Sequence, residues 1–170
     1  GKLKGIFISH LHGDHYFGLI GLLSSLNLGG RTEDLLLFGP QGLDEILTLQ
    51  FKYSQTPLQF RIIYIPTNTT QSTLLYEHSC FNVYTIPLSH RIPCAGFLFQ
   101  EKLHKRKLIK EKITEDIPFD YLRQLKNEED IYDEGGNLQY SVADYTLPAP
   151  PSRSYAYCSD TCYDESIIPI

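Results

Sequence analysis

An α/β fold, with layered sheets and helices outside them, is what this sequence predicts, on three observations. Apolar segments in the first 53 residues follow the order strand, helix, strand, helix. Between residues 58 and 100 the texture changes to a succession of β-rich runs. The composition, 42% hydrophobic and 21% charged, excludes wholesale disorder and collagen-like repeats, and 170 residues suit one domain with a real core.

The elements follow in order. Residues 3–9 (Leu-Lys-Gly-Ile-Phe-Ile-Ser) are apolar and β-rich enough for a buried strand. An apolar helical stretch is expected over 16–28, ended by Gly29 and Gly30. Residues 35–38 read as a short buried strand, and Gly39-Pro40 as a turn. Leu43, Ile46, Leu47 and Phe51 recur at helical spacing, which predicts a second helix over 41–53. Four strands are expected next, over 60–65, 73–77, 81–88 and 95–100, with Pro66, Thr67 and Asn68 among the turn residues. Residues 154–158 read as one more strand, running into Ser159-Asp160-Thr161.

Between these lies a segment of different texture. Lys102, Lys105, Arg106, Lys107, Lys110 and Lys112 stand against only Glu101 and Glu111. Over 115–134 the sign reverses, with eight acidic residues against Arg123 and Lys126. Gly135-Gly136-Asn137 forms a turn, and Pro148, Pro150 and Pro151 stiffen the return. Residues 101–150 are therefore read as an insertion within a single domain spanning 1–170. The longest apolar run, 17–28, is too short to cross a bilayer and no secretory signal opens the chain, so no membrane role is expected. Four cysteines (Cys80, Cys94, Cys158, Cys162) fit no zinc-ribbon or knottin spacing and suit a reduced, cytoplasmic chain. The lack of Met and an apolar pattern at the last residues lead to the expectation that both ends are cut.

The chemistry concentrates in Ser9-His10-Leu11-His12-Gly13-Asp14-His15. On extended backbone, side chains two apart point the same way, so His10 and His12 can converge on one ion. Asp14 and His15, where a loop bends into the next helix, can face a second ion beside it. Imidazole with carboxylate suits zinc, and manganese or iron less exclusively.

This pattern, His-x-His-x-Asp-His after a buried strand, resembles the metal motif of the metallo-β-lactamase superfamily. The features Gly18-Leu19, Phe38-Gly39-Pro40, His90 followed by Gly96-Phe97, and Ser159-Asp160-Thr161 make the chain most similar to ribonuclease Z, the short form of the transfer-RNA 3′-processing endonuclease. The resemblance implies a partial αββα sandwich with an inserted exosite arm. It implies two Zn2+ per subunit (Mn2+ or Fe2+ also suit). One ion would take His10, His12 and His90; the other would take Asp14 and His15, with Asp160 bridging. Asp14 would also hold or deprotonate the attacking water as the catalytic base. Ser89 or Thr161 would either orient ligands or merely cap strand ends. The family's last metal His and its leaving-group acid would lie beyond Ile170, which makes this chain by itself inactive or nearly so, its second ion weakly held.

The implied reaction is removal of the 3′ trailer of precursor tRNA by a homodimer. Lys102, Lys105, Arg106, Lys107 and Lys110 are the candidate RNA-binding residues, although the net charge of −5 argues weakly against a polyanion partner. The family's arm has a Gly-Pro-rich stretch that residues 117–122 lack. Two other readings stand beside this one: a hydrolase of the same superfamily acting on a small phosphodiester, thiolester or lactone, and a non-catalytic nucleic-acid-binding relative.

Overall fold

The computed structural model describes residues 3–168. They form two compact units: one runs to Gln100 and resumes at Ser154, and the other is Glu101–Arg153.

In the first unit, β1 (Gly5–Phe7), α1 (Gly13–Leu28), β2 (Leu35–Gly39), α2 (Leu43–Tyr53) and β3 (Ile62–Pro66) alternate as expected. The strands pair in parallel in the order β1-β2-β3. A parallel pair needs a crossover, and each helix supplies one. Leu19 and Leu23 of α1 and Leu43 and Leu47 of α2 share a buried cluster with Leu35, Leu37, Ile8 and Phe60. Gly30, at φ 77°, lets the chain leave α1 through a left-handed turn closed by Gly30 N–H donating to Asn27 O at 3.0 Å.

A second sheet follows from β4 (Leu74–Glu77), β5 (Phe81–Pro87) and β6 (Ala95–Glu101). In the other unit, β7 (Lys107–Leu108) pairs antiparallel with β10 (Thr146–Leu147). Between them come α3 (Phe119–Lys126), the hairpin of β8 (Ile131–Tyr132) and β9 (Leu138–Tyr140), and α4 (Val142–Tyr145). Then β11 (Ser154–Tyr157) returns to pair antiparallel with β6, in the sheet order β11-β6-β5-β4. Phe7 of β1 stacks on Phe38 of β2 at 4.3 Å and meets Phe97 and Phe99 of β6 edge-on at 5.1 and 5.2 Å, so aromatic rings join the two sheets.

Two details depart from the expected elements, and both position chemistry. The first strand pairs over three residues only. Ile8 N–H still donates to Phe38 O at 2.8 Å, but Ser9 O accepts from Ala95 N–H at 3.1 Å, so the chain passes from one sheet to the other at residues 8–9. The first helix starts at Gly13, with His12 as its N-cap, so Asp14 and His15 lie in its first turn rather than in a loop. A carboxylate is favoured there by the unpaired N–H groups and the helix dipole.

The Glu101–Arg153 unit is more structured than its composition implied. The expectation gave it no helix, yet α3 buries Leu125, and Ile117, Ile131 and Thr146 are buried in the same unit. Spacing at Phe119, Leu122 and Leu125 was the signal, within a run too acidic to stand out. At the hairpin, Asp133 Oδ1 accepts from the N–H groups of Gly135 and Asn137 at 2.9 and 2.8 Å. Glu101 and Arg153 clasp the two ends of the unit at 3.0 Å, and that guanidinium with its hydrogen bonds holds the Glu101 carboxyl down at about 2. No helix among the described residues is long and apolar enough to cross a membrane.

Two outcomes follow from the packing. A Cβ on Gly96 would fall 2.6 Å from Tyr157 O, so Gly96→Val should push β11 off β6 and cost about 1–3 kcal/mol in urea unfolding. Glu101 has a folded-state pKa below its ordinary 4.5, so its contribution is whole above pH 4.5 and fades as pH falls toward about 2. Glu101→Gln should therefore lower stability at pH 7 and flatten the acid limb of a stability–pH curve in that window.

Candidate metal centre

Three loops of the first unit bring the motif residues together. His10 follows the crossing point at residues 8–9, His90 follows β5, and Asp160 follows β11. The last two loops are tied to each other: Cys162 N–H donates to Ser89 O at 2.8 Å and Ser89 N–H donates to Thr161 Oγ1 at 3.1 Å. Ser89 and Thr161 thus act on the loops through these bonds.

The ring of His10 is fully buried. Its Nδ1 lies 3.0 Å from Ser9 Oγ and 3.6 Å from Cys94 Sγ. Ser9 spends its one proton on Ser159 Oγ at 3.0 Å, and Cys94 spends its own on the Asp160 carbonyl at 3.6 Å. With their protons spent in those directions, both neighbours are acceptors for an imidazole proton on Nδ1, the tautomer these contacts favour. The other nitrogen, Nε2, is buried with no hydrogen-bond partner and stands 3.9 Å from Asp160 Oδ2. Burial, then the neighbouring His15, His12 and His90, push the His10 pKa below its ordinary 6.5, while Asp160 pulls weakly the other way. A neutral ring with Nδ1 protonated and Nε2 bare is the form that ligates a metal.

Around that nitrogen, one ligand atom each from His10, His12, His90 and Asp160 lie within 4.8 Å of one another. Donors about 2.1 Å from a tetrahedral ion stand about 3.4 Å apart, so a modest contraction would close the group on a cation. His12 Nδ1 is 3.1 Å from His90 Nε2, and His12 Nε2 accepts from Arg91 Nε at 3.2 Å. His15 and Asp14 lie outside this group of four but adjoin it. His15 Nε2 is 3.6 Å from Asp160 Oδ2 and 3.4 Å from Asp14 Oδ2, with its Nδ1 3.4 Å from Ser159 Oγ. The Asp14 carboxylate is 79% exposed, free to reach a ligand or a water.

The basic candidates all belong to the Glu101–Arg153 unit. Lys105, Lys107 and Lys110 are exposed and Lys102 is half-buried. Arg106 is half-buried too, its Nε donating to Thr146 Oγ1 at 2.6 Å and its Nη1 3.5 Å from Glu128. Lys107 and Lys110 line a groove of about 600 Å3 with Leu108, Ile113 and Lys126. Sequence reading missed Lys126, together with Ser9, Cys94, Ser159 and Arg91. The signal for Ser9, Ser159 and Arg91 was adjacency, since each is the chain neighbour of a candidate ligand. Cys158 and Cys162, four apart, are exposed free thiols and join no ligand cluster among the described residues.

No protein-family model matches the chain. It is 52% identical over 157 residues to ribonuclease Z of Cytophaga hutchinsonii, covering 92% of this chain and 50% of the relative. It is 41% identical over 168 residues to ribonuclease Z of Bacteroides fragilis, covering 98% of this chain and 55% of the relative. The chain spans about half the length of these curated relatives. Among solved structures, human tRNase Z, short form, matches with a TM-score of 0.50 and 32% identity, over 56% of this chain and 44% of that one.

That structural likeness implies a metallo-β-lactamase fold. Within it, this chain is a homologue of ribonuclease Z, related along nearly its whole length.

The hydrogen bonds behind His10 yield a test. Ser9→Ala should weaken zinc affinity by roughly 10–100-fold, measured by competition with a chelating dye, because Nδ1 loses its oxygen acceptor. His10→Ala should abolish the tighter binding step, with circular dichroism confirming that both variants fold.

Proposed function

We propose that the protein containing this chain is a zinc-dependent endoribonuclease that removes the 3′ trailer of precursor tRNA. The observation that carries this reading is the bare, buried Nε2 of His10 facing His12, His90 and Asp160. It sits in a chain homologous to proteins named ribonuclease Z.

His10, His12 and His90 would hold one ion and Asp14 and His15 the other, with Asp160 shared between them. Two such ions, when bound, lower the pKa of water and offset charge on a phosphodiester in an in-line displacement. Asp14 is the catalytic residue: its exposed carboxylate takes the proton of the attacking water. Attack at the phosphate 3′ of the mature end leaves a 3′-hydroxyl on the tRNA. Ser9, Ser159 and Cys94 hold the rings of His10 and His15 and the backbone of Asp160 in place.

In this reading residues 1–170 belong to one αββα sandwich, with 101–150 as its exosite arm. Lys102, Lys105, Lys107 and Lys110 would take RNA phosphates, Lys126 joins them across the groove, and Arg106 contributes chiefly to the arm's own fold. The protein would work in the cytoplasm as a homodimer. The exposed apolar side of α1, with Phe17, Leu22 and Leu28, is the candidate surface.

The decisive experiment pairs zinc content with cleavage of a precursor tRNA by the full-length natural protein. Zinc near two ions per subunit with a 3′-hydroxyl product supports the reading; a zinc-loaded protein that leaves precursor tRNA intact overturns it. For the arm, charge reversal at Lys105, Lys107 and Lys110 should flatten the salt dependence of precursor-tRNA binding, by ~0.7–0.9 in slope per lost phosphate contact. Cleavage of bis(p-nitrophenyl) phosphate should be unchanged in that variant. Equal loss on both substrates would remove the arm from RNA recognition.

A further inference from the structure

Among the described residues, every arginine except one is neutralised by a carboxylate or capped by carbonyls. Arg61 pairs with Asp34, Arg106 with Glu128, Arg123 with Asp120 and Arg153 with Glu101. Arg31 donates to the carbonyls of Leu3, Glu33 and Asp34. Arg91 is the exception. It follows His90 directly and is exposed, and its one bond runs from Nε to a ring nitrogen of His12 at 3.2 Å.

That arrangement has a chemical meaning. An imidazole nitrogen is an uncharged acceptor in the neutral ring, so Arg91 keeps its full charge. It uses one of five N–H donors and leaves the four on Nη1 and Nη2 uncommitted. The Nε contact places the guanidinium beside the candidate ligand cluster, with its outer N–H groups exposed. A guanidinium fork matches two oxygens of one phosphate, and such charge-assisted pairs are the strong ones.

We propose that Arg91 is a substrate-binding residue that grips the non-bridging oxygens of a phosphodiester beside His12 and His90. This rests on the nuclease reading for the identity of the diester, but the anion-binding claim stands on the geometry of Arg91.

The test is calorimetric titration of inorganic phosphate into the zinc-loaded full-length protein and its Arg91→Ala and Arg91→Lys variants, each checked for zinc content. Phosphate affinity should fall about tenfold in Arg91→Ala and less in Arg91→Lys, which keeps the charge and loses the fork, with zinc content equal throughout. With bis(p-nitrophenyl) phosphate as substrate, KM should rise in parallel in Arg91→Ala while kcat changes less. Unchanged phosphate affinity at equal zinc content would overturn the proposal. So would a loss of zinc in Arg91→Ala, which would assign Arg91 to holding His12. A wild-type protein that binds phosphate through Arg91 yet cleaves no diester would uphold the grip and overturn the nuclease reading.

Discussion

The buried Nε2 of His10 is the constraint on which the site depends. An unpaired buried nitrogen of this kind costs about 1–3 kcal/mol, and it faces ligand atoms of His12, His90 and Asp160. Burial, and then the neighbouring rings, also lower the His10 pKa, which disfavours relief of this nitrogen by a proton. A divalent cation satisfies all four donors at once. The group of four could hold one.

What makes that cost bearable is the framework beneath. Residues 8–9 bond to Phe38 of the parallel sheet and to Ala95 of the second sheet, so the strand end that carries His10 belongs to both. The stacked Phe7 and Phe38 and the edge-on Phe97 and Phe99 lock the same junction from the apolar side. Hydroxyl and thiol groups close behind the imidazoles: Ser9 and Cys94 at His10, Ser159 at His15. Ring orientation is therefore set by core packing and short polar bonds, before any ion is considered.

The Glu101–Arg153 unit obeys a different economy. It buries a few residues, chiefly Ile117, Leu125 and Ile131, and relies on local polar bonds such as the Asp133 turn and the Glu101–Arg153 clasp. Part of its basic charge is consumed internally, as Arg106 illustrates. Counting cations along 102–112 overstates what remains to meet a polyanion, and the exposed lysines are the better measure.

Much was legible in one dimension. Alternating apolar texture foretold the β-α-β-α order because burial on both faces of a strand and one face of a helix leaves distinct periods; the parallel pairing, and the place of 62–66 in that sheet, came with the tertiary structure. Two-residue alternation on extended backbone also marked His10 and His12, and the bend into the next helix marked Asp14 and His15. Residue order could not supply distance. Whether His90 and Asp160 meet His10 depends on three loops converging, and whether Asp14 heads a helix depends on His12 capping it. The proton on His10 Nδ1 depends on Ser159, 149 positions away, drawing the hydroxyl proton of Ser9. Likewise, Arg106 and Arg91 look equivalent in composition, and only tertiary partners distinguish the paired cation from the uncommitted one. Chemistry of the single residue is written in the chain; its protonation, pairing and reach are set by neighbours that folding brings from elsewhere.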